Sequence, residues 1–208
     1  MGYNVQVLRK IWVQKKTVEE ELMSQDNTKI YVVLSQTGTM LSRIIKRRTK
    51  AEYCHSSLSL VPDLSEMYSF GRKFPRNAFW GTFVRESPHF GTFKLFKNTV
   101  VRVLEIEVGA QKYAEIHDFV MNMWENKKKY HYNYIGLWVA AFKIPRKKKN
   151  CFYCSEFVAH VLSECGVVDK NFFKPIIEPI HFLEIPHREI YRGKLQEFSL
   201  DKINRTED

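Results

Sequence analysis

A cysteine at the start of an apolar helical pattern is the feature that most constrains this chain. Cys154 is followed by Ser155 and Glu156 and then by apolar residues at helical spacing, up to Gly166, which is suited to end a helix. The first turn of a helix leaves backbone N–H groups unpaired, and the positive end of the helix dipole lies there. Both effects favour a thiolate, so the pattern predicts that Cys154 is a reactive nucleophile.

A histidine far upstream opens a predicted strand. His55 is followed by alternating residues, so Ser57 and Ser59 share its face while Leu58 and Leu60 take the other face. A histidine on a polar strand face suits a general base. A Cys/His pair therefore forms if the fold brings this strand to the start of the cysteine helix.

The order of these features is the reverse of the papain order, in which the cysteine comes first. A histidine opening a strand, a hairpin return over residues 63–72, a late Cys-Ser-Glu helix start and a closing strand over 190–195 occur in this order. Together they resemble the circularly permuted NlpC-type papain-like proteins, and the YiiX-like branch most closely. The resemblance covers roughly residues 29–198.

The resemblance implies an α+β fold of the permuted papain-like type, with an antiparallel sheet and packed helices. It also implies a cysteine hydrolase of the amidase or peptidase type, or an acyltransferase, acting on an amide or ester carbonyl. The implied substrates are a peptide, an isopeptide or an acyl-lipid.

The same resemblance supplies a third catalytic residue. Glu66, at the start of the predicted return strand, resembles the polar group that orients the histidine in permuted families, so the implied triad is Cys154, His55 and Glu66. Tyr68 shares the face of Glu66 and is the alternative. The lecithin retinol acyltransferase branch carries a histidine at about this point, whereas this chain has none between His55 and His89.

The chain is predicted to form a single domain of 208 residues. Residues 1–28 form a lead-in segment, 29–198 the catalytic core and 199–208 a polar tail. Periodicity predicts strands over residues 29–34, 55–61, 66–70, 100–108 and 189–198, and helices over 5–24, 40–45, 111–126, 130–144 and 154–166. Residues 72–97 lack clean periodicity and are predicted to form a long loop.

The formal net charge of +10 favours a polyanionic surface as a neighbour. It leaves open a second hypothesis, a non-catalytic papain-like binding module or a basic protein associated with nucleic acid. No helix-turn-helix or RNA-binding signature accompanies the basic runs at 127–129 and 146–149. The oligomeric state is not fixed by the sequence.

Four irregularly spaced cysteines are too few for a disulfide framework and suit a reducing compartment. Cys151 and Cys154 form a Cys-x-x-Cys pair, but neither a second ligand pair nor a thioredoxin-like pattern accompanies it, so no metal ion or cofactor is expected. The sequence contains neither a signal-peptide pattern nor an apolar run long enough for a transmembrane segment, which predicts a cytoplasmic protein.

Overall fold

The computed structural model describes residues 29–37, 52–134 and 148–200. Within these residues the strands are β1 (Lys29–Gln36), β2 (His55–Ser59), β3 (Met67–Phe74), β4 (Asn77–Glu86), β5 (Val100–Glu107), β6 (His131–Tyr132), β7 (Cys151–Phe152) and β8 (Arg188–Lys194). The helices are α1 (Gly91–Leu95), α2 (Ala110–Glu125) and α3 (Cys154–Glu164), with 3₁₀ turns at Lys127–Lys129, Pro179–Glu184 and Leu195–Glu197.

A six-stranded antiparallel sheet in the order β4-β3-β2-β1-β5-β8 forms the centre of the fold. Strand β1 lies inside this sheet, and residues 30–34 are all buried. A continuous apolar run is what a strand with both faces covered requires. The expected α+β class with a large antiparallel sheet is confirmed at this level.

Two separate apolar clusters cover the two faces of the sheet. On one face α2 and α3 pack on Leu58 and Phe70, with Phe157 of α3 fully buried between them. On the other face Val33 packs with Phe93 of α1 and with the turn after β8. The sheet is therefore a middle layer, and the start of α3 lies over β2 and β3.

Most of the predicted elements are confirmed, including the strands from 29, 55, 66 and 100 and the helices from 111 and 154. Gly166 has a φ of 66° at the end of α3, as expected for a helix-terminating glycine. The last strand ends earlier than predicted, because a 3₁₀ turn begins at Leu195. The predicted helices over 5–24 and 40–45 and most of that over 130–144 lie outside the described residues.

The predicted loop over residues 72–97 is wrong. Strand β3 continues to Phe74, a short turn at Pro75 follows, and β4 and α1 occupy most of the remainder. The glycines in these strands weaken the alternation of polar and apolar side chains in the sequence, because glycine has no side chain. A glycine is required at Gly81, where an added Cβ would lie 2.3 Å from the ring of Tyr132.

No helix in the described parts of the chain has the length and apolar character needed to cross a lipid bilayer.

We expect Gly81→Ala to lower the free energy of unfolding by about 1–3 kcal/mol, because the ring of Tyr132 or the backbone of β4 must shift. Urea unfolding followed by circular dichroism measures this. The matched control is Gly193→Ala in β8, where the nearest atoms to the new methyl are the hydroxyl oxygen of Tyr191 at 2.8 Å and its Cζ at 3.1 Å, at the far end of that side chain. Equal losses in the two variants would contradict the close packing at Gly81.

Candidate active site

His55 is the first residue of β2, and its ring lies against a buried carboxylate. Its Nε2 atom is 3.0 Å from Oε2 of Glu86, at the end of β4, and the two side chains are 16% and 9% exposed. The Ser57 hydroxyl donates a hydrogen bond of 2.7 Å to the same carboxylate oxygen. Ser57 Oγ also lies 3.3 Å from His55 Nε2, so the three groups form one buried network.

Glu86 reaches this histidine across an intervening strand. Strand β3 separates β2 from β4, and at Gly71 it has no side chain to block the contact. A Cβ placed on Gly71 would lie 3.0 Å from Oε1 of Glu86 and 3.6 Å from Cε1 of His55. The missing side chain at Gly71 therefore makes room for both partners.

Cys154 is the first residue of α3, and its thiol is buried. Burial alone would raise its pKa. The positive charge and hydrogen bonding of His55, the backbone N–H of Ser56 and the hydroxyl of Ser155 outweigh burial and hold the pKa below that of an ordinary thiol.

The pKa of His55 is shifted in the opposite direction to that of Cys154. Burial would lower the pKa of His55, but the negative charges of Glu86 and of the Cys154 thiolate, with the hydrogen bonds to both groups, raise it well above its ordinary value. A raised imidazole pKa beside a lowered thiol pKa favours an imidazolium and a thiolate as an ion pair. This pair is the state in which a cysteine nucleophile is active.

A chain of serine hydroxyls joins the strand of the histidine to the helix of the cysteine. The Ser69 hydroxyl donates to the Ser56 carbonyl at 2.7 Å, and the Ser56 hydroxyl donates to Ser155 Oγ at 3.3 Å. All three serines are fully buried. Satisfied buried polar groups hold a fixed geometry, so β2 and the start of α3 keep a defined relative position.

Glu156 fixes a second segment beside the cysteine. Its Oε2 atom accepts hydrogen bonds of 3.0 Å from the backbone N–H of Tyr153 and 3.0 Å from the side-chain amide of Asn133. The first bond caps α3, and the second ties the helix to the segment that follows β6. The preceding residue, Tyr132, is thereby held near Cys154.

Tyr132 is positioned as a hydrogen-bond donor. Its ring packs on the backbone of Gly81, and the Tyr134 hydroxyl accepts a hydrogen bond from the Gly81 N–H. Burial raises the pKa of Tyr132 well above its ordinary value, and the negative charge of the Cys154 thiolate raises it further. The hydroxyl therefore stays protonated and keeps its hydrogen available for donation.

The predicted third residue is corrected from Glu66 to Glu86. The register pairs Tyr68 with Leu58, so Tyr68 and Glu66 lie on the face opposite to that of His55. There Oε1 of Glu66 accepts a hydrogen bond from the Tyr68 hydroxyl and lies 3.5 Å from Nη1 of Arg85. The alternative, Tyr68, is excluded by the same register.

Sequence reasoning missed Glu86 because it lies in the segment predicted as a loop. The aromatic and β-branched residues over 79–84 are a weak signal that could have revealed strand β4, although not the role of Glu86. A glycine inside the neighbouring strand, Gly71, signals a close approach by another group.

The other three cysteines lie in different surroundings. Cys54 Sγ donates to the Ser35 carbonyl at 3.8 Å, Cys151 is buried in β7, and burial raises the pKa of Cys165. All four cysteines are free thiols. In the described part of the chain, no three His, Cys, Asp or Glu side chains converge to hold a metal ion.

Comparison with protein-family models, with curated proteins and with solved structures gives no match for this chain.

We expect Glu86→Gln to lower the pKa of His55, because the negative charge that stabilises its imidazolium is removed while the side-chain shape is kept. NMR titration of the imidazole nitrogens measures this pKa directly. Glu66→Gln removes the same charge from the opposite face of the sheet and is the matched control. An unchanged His55 pKa in Glu86→Gln, or an equal shift in the control, would contradict the assignment of Glu86.

Proposed function

We propose that the protein is a cysteine-dependent hydrolase of the amidase or peptidase type, or an acyltransferase, with a permuted papain-like fold. Cys154 is the nucleophile, His55 the general base and acid, and Glu86 the residue that orients His55. One observation carries the proposal: the His55 ring, 3.0 Å from the buried Glu86 carboxylate, lowers the pKa of the Cys154 thiol by its charge and a hydrogen bond.

The reaction proceeds through a thioester. The Cys154 thiolate forms a C–S bond to the substrate carbonyl carbon, and the carbonyl π electrons move to the oxygen. As the oxyanion collapses, the bond to the leaving amine or alcohol breaks, and the His55 imidazolium supplies its proton. Water, or an acceptor alcohol or amine, then attacks the thioester, His55 takes up the proton of this nucleophile, and the thiolate is released.

The oxyanion receives two hydrogen bonds in this account. The first donor is the backbone N–H of Cys154, at the start of α3. The second is the hydroxyl of Tyr132, which remains protonated and whose pKa responds to the charge of the Cys154 thiolate. Glu156 accepts hydrogen bonds from the backbone N–H of Tyr153 and the side-chain amide of Asn133, and these bonds tie together the two segments that carry the donors.

A cavity beside Tyr132 supplies space for the rest of the substrate. It has a volume of about 390 Å³, and its walls include Trp80, Tyr130 and Tyr134, with Lys73 at the rim. Trp80 is 58% exposed, so its indole ring is open to contact by a bound group. Aromatic walls suit an apolar group of a peptide, an isopeptide or an acyl-lipid.

The competing hypothesis, a binding module without turnover, does not account for the polar network. Burying a carboxylate and an imidazole costs free energy unless each is paired, and a binding surface elsewhere on the molecule has no need of them. Four free cysteines suit a reducing compartment, and on that composition we assign the protein to the cytoplasm.

Trapping of the thioester tests the proposal. Purified protein is incubated with a panel of p-nitrophenyl acyl esters and peptide anilides, and intact mass spectrometry follows acylation. We expect a covalent acyl adduct on Cys154, no adduct in Cys154→Ala, and at most slow acylation in His55→Ala. Acylation that persists in Cys154→Ala, or no turnover and no adduct across both substrate panels, would contradict the proposal.

We expect Tyr132→Phe to reduce kcat by about 10²-fold to 10³-fold, the range for loss of one oxyanion donor. Alkylation of Cys154 by iodoacetamide passes through no oxyanion, so its rate should stay close to that of the wild type. Comparison of the two rates in one preparation separates the role of a donor from a loss of structure. Tyr134→Phe, which keeps the neighbouring ring, is the control.

A further inference from the structure

A second cavity lies on the other side of the α3 start and is bordered by lysines. It has a volume of about 390 Å³ and lies between the turn at residues 148–150, helix α3 and the loop over 170–177. Lys148 and Lys149 come from the turn, and Lys170 and Lys174 come from the loop. We call this cavity the basic cleft.

Backbone hydrogen bonds hold the two lysine-bearing segments in place. The Cys151 N–H donates to the Lys148 carbonyl at 3.1 Å, and Asn150 takes a φ of 56°, which asparagine tolerates better than most residues. In the loop, Asp169 accepts hydrogen bonds from the N–H groups of Asn171 at 2.8 Å and Phe172 at 3.0 Å. The lysines therefore extend from defined turns.

Positive charge exceeds negative charge around the cleft, where four lysines and two carboxylates line the wall. None of the four lysines forms an ion pair with a described carboxylate. Glu156, which lines the cleft, already accepts hydrogen bonds from Tyr153 and Asn133, and Glu164 lies exposed at the rim. Four lysines against two carboxylates leave the cleft with a net positive charge, which a bound anion offsets.

The floor of the cleft is apolar and aromatic. Phe152, Ala159, Phe173 and Ile177 line it, and the ring of His160 stacks on Phe152 with ring centroids 4.9 Å apart. A site of this size, apolar below and cationic at the edge, is typical of small-molecule pockets, which range from about 300 to 1,000 Å³. Nucleic acid, by contrast, is held by extended basic surfaces.

We propose that the basic cleft binds a small molecule that carries a diphosphate on an aromatic body. The lysine pairs on two separate walls would each contact one phosphate group, and the apolar and aromatic floor would contact the aromatic ring system of the ligand. The cleft lies next to the nucleophile helix, since the Tyr153 hydroxyl accepts a hydrogen bond of 3.2 Å from the Ile177 N–H. Its lining does not include Cys154 or His55, so the inference does not rest on the proposed function.

Isothermal titration calorimetry with ADP and with pyrophosphate tests this inference on the full chain. We expect saturable binding of one ADP per chain. Pyrophosphate should bind more weakly, because it has no aromatic ring system to contact the floor of the cleft. The double variants Lys148→Gln/Lys149→Gln and Lys170→Gln/Lys174→Gln should each weaken ADP binding at least tenfold, about 1.4 kcal/mol. Cys154→Ala should bind as the wild type does.

The matched control is Lys128→Gln/Lys129→Gln, which removes the same charge from a basic run that does not line the cleft. It should leave ADP binding unchanged. Equal weakening in the control and the cleft variants would overturn the site, because binding would then follow net charge alone. Absence of saturable binding, pyrophosphate binding as tight as that of ADP, or a preference for a short duplex RNA over ADP would also overturn it. Circular dichroism of each variant shows that it remains folded.

Discussion

The buried contact between His55 and Glu86 is the interaction on which the proposed site depends. A carboxylate with little access to water is costly unless it is paired, and here the imidazole and the Ser57 hydroxyl supply its partners. The contact crosses strand β3 at Gly71, where a Cβ would lie 3.0 Å from Oε1 of Glu86. The absence of a side chain at this one position of the sheet therefore favours the contact between the carboxylate and the imidazole.

The second requirement is a fixed helix start over the same part of the sheet. Phe157 anchors α3 in the core, while Ser155 hydrogen bonds with Ser56 of β2. The backbone N–H of Ser56 also helps to lower the pKa of the Cys154 thiol. Core packing and polar contacts thus place the thiol where the charge of His55 acts on it.

The sequence was sufficient for those features that depend on local pattern. The apolar period of α3, the β-branched run of β1 and the alternation after His55 predicted the main elements, and Cys154 and His55 emerged from their positions in them. Glu86 could not be found in this way, because its role depends on the register of three strands. A shift of one residue exchanges the two faces of a strand. Glu66 was predicted from the resemblance to permuted families, which does not fix the register, and the pairing of Tyr68 with Leu58 puts it on the other face.

The measurement that tests the central claim most directly is the pH dependence of Cys154 alkylation in the wild type and in His55→Gln. Mass spectrometry of iodoacetamide-treated protein gives the rate at each pH. An ordinary thiol has a pKa of about 8.5. The account predicts that the alkylation rate of the wild type reaches half its maximum, the midpoint, at a lower pH than this value. In His55→Gln the midpoint should rise to the ordinary value or above it, because burial then acts without the imidazolium. The same midpoint in both proteins would contradict the account.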